Sequence, residues 1–258
     1  MRTERVQQQA GFVLHTRPYR NTSLLVEIFS RDHGRVGAIA AGARAAKSRQ
    51  APLLQPMQPL SLSWSIRGDL ARLTGVEAIG SSGMSAAGRA LWCGLYCNEL
   101  LMRLTHRGDA HPALYDCYAD TLAALASDHE LALRRFENVL LAECGYGLPL
   151  QHDAVGNSIE ADLYYRYLAD EGFVPFAGPA DGAGLNDGYS GRTLLTLAAG
   201  ELPDPEARSQ AKRLLRNAIA QHLDRPLQTG AILRSLERLQ PSPKPTIPAA
   251  GEAPQEPT

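Results

Sequence analysis

The chain has 258 residues, with 26 basic and 27 acidic side chains, a formal charge of −1, and 44% hydrophobic residues. That length can bury one large core or two smaller ones, and such near-neutrality on its own argues against a nucleic-acid protein. The charge is segregated, however. Residues 1–80 carry eleven Arg and Lys against five Asp and Glu, near +6, whereas residues 81–205 carry seven against seventeen, near −10. A positive field on one module attracts phosphate backbones even when the whole chain is neutral. No window approaches the ~18 apolar residues of a membrane span, and Met1 to Gln9 has no apolar signal region. A cytoplasmic protein is expected.

Period-two alternation predicts five strands in the first module. They are Ala10 to Thr16, Ser23 to Ser30, Arg35 to Ala41, Leu60 to Ile66 and Leu70 to Ala78. Gly34 is expected to take the positive φ that closes the Arg31-Asp32-His33-Gly34 hairpin, and Arg67-Gly68-Asp69 to turn the fourth strand into the fifth. Five short strands with one buried face leave exposed edges, which closure removes. The expectation is an OB-like barrel over residues 1–80. Its usual oligonucleotide surface is the face of strands two and three with the loops joining strands one to two and four to five.

The loop Gly42 to Gln55 holds Arg44, Lys47 and Arg49, with nothing apolar to dock it before Leu53. Read alone it is a solvated connection. With Arg17, Arg20, Arg31, Arg35 and Arg67 on the same small barrel it is read as a phosphate-binding surface, with Tyr19 as the base-stacking candidate. Trp64 is in phase with Leu60, Leu62 and Ile66 and reads as core, as do Phe12 and Phe29.

From Gly80 to Gly83 a flexible junction is expected, after which the period becomes helical. Met84 to His106 reads as a long buried helix, followed by one opened by His111-Pro112. A capping box of Ser127 and Glu130 is expected to start Leu131 to Cys144, with Gly145 as its stop. Leu148 to Gly188 is acidic and rich in glycine, with one hairpin expected across Glu171-Gly172. Ser190 to Ala199, Asp204-Pro205 to Leu223, and Ala231 to Leu239 are three further helices, the second with Arg208, Lys212 and Arg216 on one side. Gln228-Thr229-Gly230 is read as a turn, and residues 241–258 as a disordered proline-rich tail. Fold class is therefore α+β, a barrel and then an α-helical bundle over residues 81–240 with an irregular insertion at 148–188.

Cys93, Cys97, Cys117 and Cys144 fall on predicted helices without a close Cys-x-x-Cys pair, and read as reduced core thiols. There is no phosphate loop, no zinc-water histidine pair and no glycine-flanked nucleophilic serine, so an enzyme has little support. No cofactor is expected.

The runs Phe12-Val13-Leu14-His15-Thr16-Arg17-Pro18-Tyr19, Gly34-Arg35-Val36, Gly42-Ala43-Arg44, Leu54-Gln55-Pro56, Gly94-Leu95-Tyr96-Cys97-Asn98-Glu99-Leu100-Leu101, Leu133-Arg134-Arg135-Phe136-Glu137 and Gly145-Tyr146-Gly147 resemble the bacterial RecO recombination-mediator family, across residues 8 to 240. The resemblance implies a protein that binds single- and double-stranded DNA, anneals complementary strands and helps load RecA onto DNA coated by single-stranded-DNA-binding protein. Its partners would be RecR and, in some bacteria, RecF. Some relatives carry a four-cysteine zinc site in the insertion; this chain has no cysteine there, only His152, so no metal is expected. The resemblance also implies that the helical module takes the acidic, phenylalanine-ended tail of the single-stranded-DNA-binding protein, with Arg134, beside Arg135, holding the terminal carboxylate. The alternative for both arginines is pairing with Glu130 or Glu137. A protein adaptor whose basic barrel serves an acidic partner remains the competing function.

Overall fold

Alternation along the first module does produce closure. In the computed structural model, which describes residues 4–66, 70–80, 88–176 and 188–239, the strands are β1 (Glu4–Tyr19), β2 (Ser23–Ser30), β3 (Gly34–Ala40), β4 (Pro59–Ile66) and β5 (Ala71–Ala78). They form a closed barrel in the order β1-β2-β3-β5-β4, with β1 antiparallel to both β2 and β4 and β3 parallel to β5. β1 is longer than its alternation suggested because it serves two neighbours: Glu4 to Phe12 pairs with β4, and Gly11 to Tyr19 with β2. The Arg67-Gly68-Asp69 turn, Ser81 to Gly83 of the junction and the tail beyond Gln240 lie outside the described residues.

Val13, Val26, Ile28, Ala38, Leu60, Leu62, Trp64 and Leu73 fill the barrel. Trp64 is core, as its phase implies. Phe12, Leu14 and Phe29 are also buried, but outside the barrel, in the core of the helical part. A bulge makes this possible: the pairing steps from Val13–Ile28 to His15–Glu27, leaving Leu14 as the extra residue. One sheet therefore has two apolar faces, one packed inward and one packed against helices.

Those helices are α1 (Gly88–Leu104), α2 (Pro112–Ala124), α3 (His129–Glu143), α4 (Gly191–Ala198), α5 (Pro205–Gln221) and α6 (Gln228–Leu239). A small sheet of β6 (Tyr164–Leu168), β7 (Gly172–Phe176) and β8 (Tyr189–Ser190), ordered β7-β6-β8, occupies the insertion. The hairpin turns at Gly172, with φ +95°. β8 is only two residues long and left no periodic signal.

Two helix starts differ from expectation. The cap of α3 is Asp128, not Ser127: the Leu131 N–H donates to Asp128 Oδ1 at 3.1 Å, while Ser127 Oγ donates back to the Ala124 carbonyl. Asp128 prevails because it also accepts two bonds from Arg208, at 2.8 and 2.7 Å. That pairing holds its carboxyl down at about 2. Gln228-Thr229-Gly230, read as a turn, is the first turn of α6. Glu99 on α1 caps it, accepting from the Gln228 and Thr229 N–H groups at 3.0 and 2.9 Å and from the Thr229 hydroxyl at 2.6 Å.

The helical part is seated on the barrel by an aromatic cluster. Phe12 meets Tyr115 and Tyr118 at 5.3 and 5.1 Å between centroids, and Phe29 meets the same rings at 5.7 and 6.1 Å. Asn98 on α1 donates to the Leu14 carbonyl at 3.0 Å and accepts from the Tyr118 hydroxyl. The bulged strand is thus hydrogen-bonded to the helix covering it.

Candidate nucleic-acid interface

The β2–β3 hairpin pairs Leu24 with Ala40 at one end and Ser30 with Gly34 at the other. At about 3.3 Å per residue, the two ends are roughly 20 Å apart. The basic residues that composition groups together are divided between them.

At the Gly34 end they belong to the junction with the helices. Arg31 makes two hydrogen bonds to the Asp116 carboxylate on α2, at 3.0 and 2.9 Å, and a third to Asp32. Arg35 donates to the carbonyls of Leu101 and Met102 at the end of α1. Burial is the main reason its guanidinium falls below the ordinary arginine value. Arg107, from the segment after α1, lies over Gly37, where an added Cβ would stand 2.7 Å from its guanidinium carbon. It pairs with Glu27, a residue 7% exposed. Arg107 and α2 thus cover the outward side of β2 and β3 at Glu27, Phe29 and Gly37, and Arg31 and Arg35 make contacts that join the barrel to the helices.

At the Ala40 end the arrangement is different. The Arg44 N–H donates to the Thr22 carbonyl at 2.7 Å, and its guanidinium reaches the Arg20 carbonyl at 3.5 Å. This seats the start of the β3–β4 connection against the β1–β2 turn. Arg20 adopts φ +52°, and its guanidinium carbon is 5.2 Å from the centre of the Tyr19 ring, a cation–π contact. Arg17, Arg20, Arg44, Lys47 and Arg49 are exposed and Tyr19 is half-buried. Among the described residues none of these cations forms an ion pair. Arg67 lies outside the described residues.

A second candidate site lies between α1, α3, α5 and α6, a cavity of about 440 Å³. Its apolar wall includes Tyr96, Leu133, Ile219, Leu223, Leu227 and Leu233, and Arg89, Arg134, Lys212 and Arg216 supply cations. Arg134 donates to Glu137 at 2.6 Å, and the Tyr96 hydroxyl donates to the same oxygen at 2.7 Å. The Glu137 residue is 1% exposed, and burial pushes its carboxyl above the ordinary value against the pull of Arg134. Arg89 Nη2, Arg134 Nε and Glu137 Oε2 are buried without a hydrogen-bond partner. Arg135 does not join them: it is exposed on another side of α3 and donates to the Gly200 carbonyl at 2.6 Å. Arg89 carried no motif in the sequence, and Tyr96 stood within the run Gly94 to Leu101 without a role; helical spacing to Cys93 and Leu100 is the signal that could have placed them near one wall.

Burial pushes the Cys97 thiol well up and Cys144 up to about 11, and among the described residues no cysteine is in a disulfide. Among the described residues no three His, Cys, Asp or Glu side chains cluster as a metal site, and no helix is long and apolar enough to cross a membrane.

The two parts of the chain match two family models, Recombination protein O N terminal over residues 1–82 and Recombination protein O C terminal over residues 86–230. Among curated proteins, the DNA repair protein RecO of Aromatoleum aromaticum is 45% identical over 239 residues, covering 92% of this chain and 98% of that one. The RecO proteins of Dechloromonas aromatica and Nitrosococcus oceani are 43% and 45% identical, with 91% of this chain and 98% and 96% of theirs covered. Similarity of this extent spans the barrel, the pocket helices and the residues joining them, and the chain belongs to the RecO family of DNA repair proteins.

Proposed function

We propose that the protein is a non-enzymatic recombination mediator that holds DNA on its barrel and a protein tail on its helices. The observation that carries this is the set of Arg17, Arg20, Arg44, Lys47 and Arg49, exposed beside half-buried Tyr19 on the β1–β2 turn and the β3–β4 connection and without acidic partners among the described residues. Cations free of internal ion pairs can release counterions from single- or double-stranded DNA with little regard to sequence. Tyr19 adds a stacking surface. Neutralising the backbone charge of two strands at once would favour annealing.

In the same reading, the α1-α3-α5-α6 cavity takes the acidic, phenylalanine-ended tail of single-stranded-DNA-binding protein. Its apolar wall accommodates the ring, and its cations face the carboxylates. Holding DNA and tail together would bring the protein to coated strands and help RecA load there, acting with RecR and in some settings RecF, in the cytoplasm.

The test is fluorescence anisotropy of labelled single strands and duplexes over a series of salt concentrations. Replacing Arg17, Arg20 and Arg44 by alanine should lower the salt slope by about 0.7 per lost single-strand contact and about 0.9 per duplex contact. A folded triple variant with the parent's affinity and slope overturns the reading and favours an acidic protein as the barrel's partner. For the tail, Arg134→Ala should weaken a fluorescent peptide by about 1.5–3 kcal/mol; equal affinities remove Arg134 as the carboxylate clamp.

A further inference from the structure

The strand register places two further arginines on the barrel's outer surface. Residues paired across a sheet share a face, so one outward row can be followed rung by rung. Arg17 pairs with Leu25, Leu25 with Ile39, Ile39 with Arg72, Arg72 with Ser65, and Ser65 with Arg5. The row leaves β1 near its end and, because a closed barrel is staggered, returns to the same strand near its beginning. Arg5, Arg17 and Arg72 are all exposed, and Ser65 between two of them is small and half-buried. Among the described residues none of the three arginines is paired with an acid. Adjacent Glu4 belongs to the opposite side of the pleat. Of the outward acids, Glu27 on the neighbouring row is taken by Arg107, and exposed Glu77, opposite Ser61, stands two rungs from the row on the same wall.

Resting on the DNA-binding reading above, we infer that a bound single strand of DNA continues from the Arg17 and Arg44 loops around the β5–β4–β1 side of the barrel, with Arg72 and Arg5 as successive phosphate contacts. Three observations support this. The β2–β3 face that would otherwise take the strand is covered at Glu27 and Gly37. The row begins at Arg17, beside the loop arginines, and reaches Arg72 across Leu25, 4% exposed, and half-buried Ile39. Its outward β4 residues, Ser61, Ser63 and Ser65, have short side chains that let a backbone approach the sheet. At about 4.8 Å between strands, Arg72 is roughly 14 Å from Arg17 and roughly 10 Å from Arg5 along the row. A path of that length is within the ~4–16 nucleotides an OB fold accommodates.

The experiment uses the full, tag-free chain and fluorescein-labelled oligothymidylates of increasing length, titrated at several sodium chloride concentrations. The Arg5→Ala/Arg72→Ala variant should lose about 1.4 from the magnitude of the single-strand salt slope, at about 0.7 per contact. Its affinity should stop rising at a shorter oligomer than the parent's. Arg5→Lys/Arg72→Lys should restore the slope, since a charge at the site is what the backbone reads, and thermal unfolding should show all variants folded. If the double alanine variant keeps the parent's slope and length dependence while the Arg17/Arg20/Arg44 variant loses both, the path is wrong and the loop site stands. If both variants bind as the parent does, the barrel is not the DNA surface and both readings fall.

Discussion

Arg134→Ala removes one member of a buried pair, and its consequences can be worked from the burial of the other. Glu137 is 1% exposed, and its Oε1 accepts from both Arg134 and the Tyr96 hydroxyl. With Arg134 gone, the carboxylate keeps the hydroxyl and loses its adjacent charge. Breaking a buried pair in this way costs about 3–5 kcal/mol, which for a chain of this size is a melting shift of roughly 10 °C. The loss should depend on pH. Burial already holds the folded-state carboxyl above its unfolded value, and removing the guanidinium raises it further. Between the unfolded and folded values the native state binds more protons than the unfolded state, so stability falls as pH rises through that window. Arg134→Ala should therefore be less destabilised at pH 5 than at pH 8. Adding Glu137→Gln should recover part of the loss, because no buried charge remains uncompensated. Differential scanning fluorimetry across pH, with calorimetry at both ends, measures this. Equal melting temperatures for parent and Arg134→Ala at pH 8 would refute the argument. Peptide titrations on this variant need to be made well below its melting point, so that a lost clamp is distinguished from a loosened helix.

Gly34→Ala should be severe for its size: φ is +61°, and the added Cβ would stand 1.8 Å from the Asp109 carbonyl oxygen. The left-handed conformation alone costs about 1–2 kcal/mol, so a melting temperature unchanged from the parent would show that the hairpin and the post-α1 segment are not in contact. Glu99→Ala should cost about 1–2 kcal/mol as a lost cap and speed amide exchange at Gln228 and Thr229. Because Gly230 and Leu233 line the cavity, peptide affinity should fall with it; unaltered exchange at both amides would rule out Glu99 as the cap.

The barrel was legible because its interior obeys a period of two: Leu60, Leu62 and Trp64 alternate with serines, and all three are interior. Which side of the sheet received the helices was not legible. Phe12, Leu14 and Phe29 are as apolar as the interior residues, and a bulge, which changes parity, leaves no mark in the sequence. The α6 start was hidden for a different reason. Local composition proposed a turn, while the cap that makes Gln228 helical comes from Glu99, 129 residues away. Ser127 and Asp128 are both good caps by type, and the choice between them is made by Arg208, 80 residues distant. In each case a remote partner chose between local options that were nearly equal. The arginine and aromatic walls of the helical cavity belong to the same class, since four separate helices supply them.

Charge counting grouped the arginines of the barrel together, and the structure divides them between its two ends. A surface arginine and a junction arginine have the same composition, and register separates them. β2 carries the chain from the exposed Arg20–Thr22 turn to the Arg31–Asp116 pair, so consecutive basic turns along the sequence alternate between opposite ends of the barrel. Arg31, Arg35 and Arg107 hold the helices to the sheet and shield Glu27 and Gly37. That docking leaves the β1–β2 turn, the β3–β4 connection and the β5–β4–β1 wall as the barrel's open basic surface. On the proposed reading, the same contacts that cover part of one face of the OB-like barrel would direct a polyanion to the rest of it.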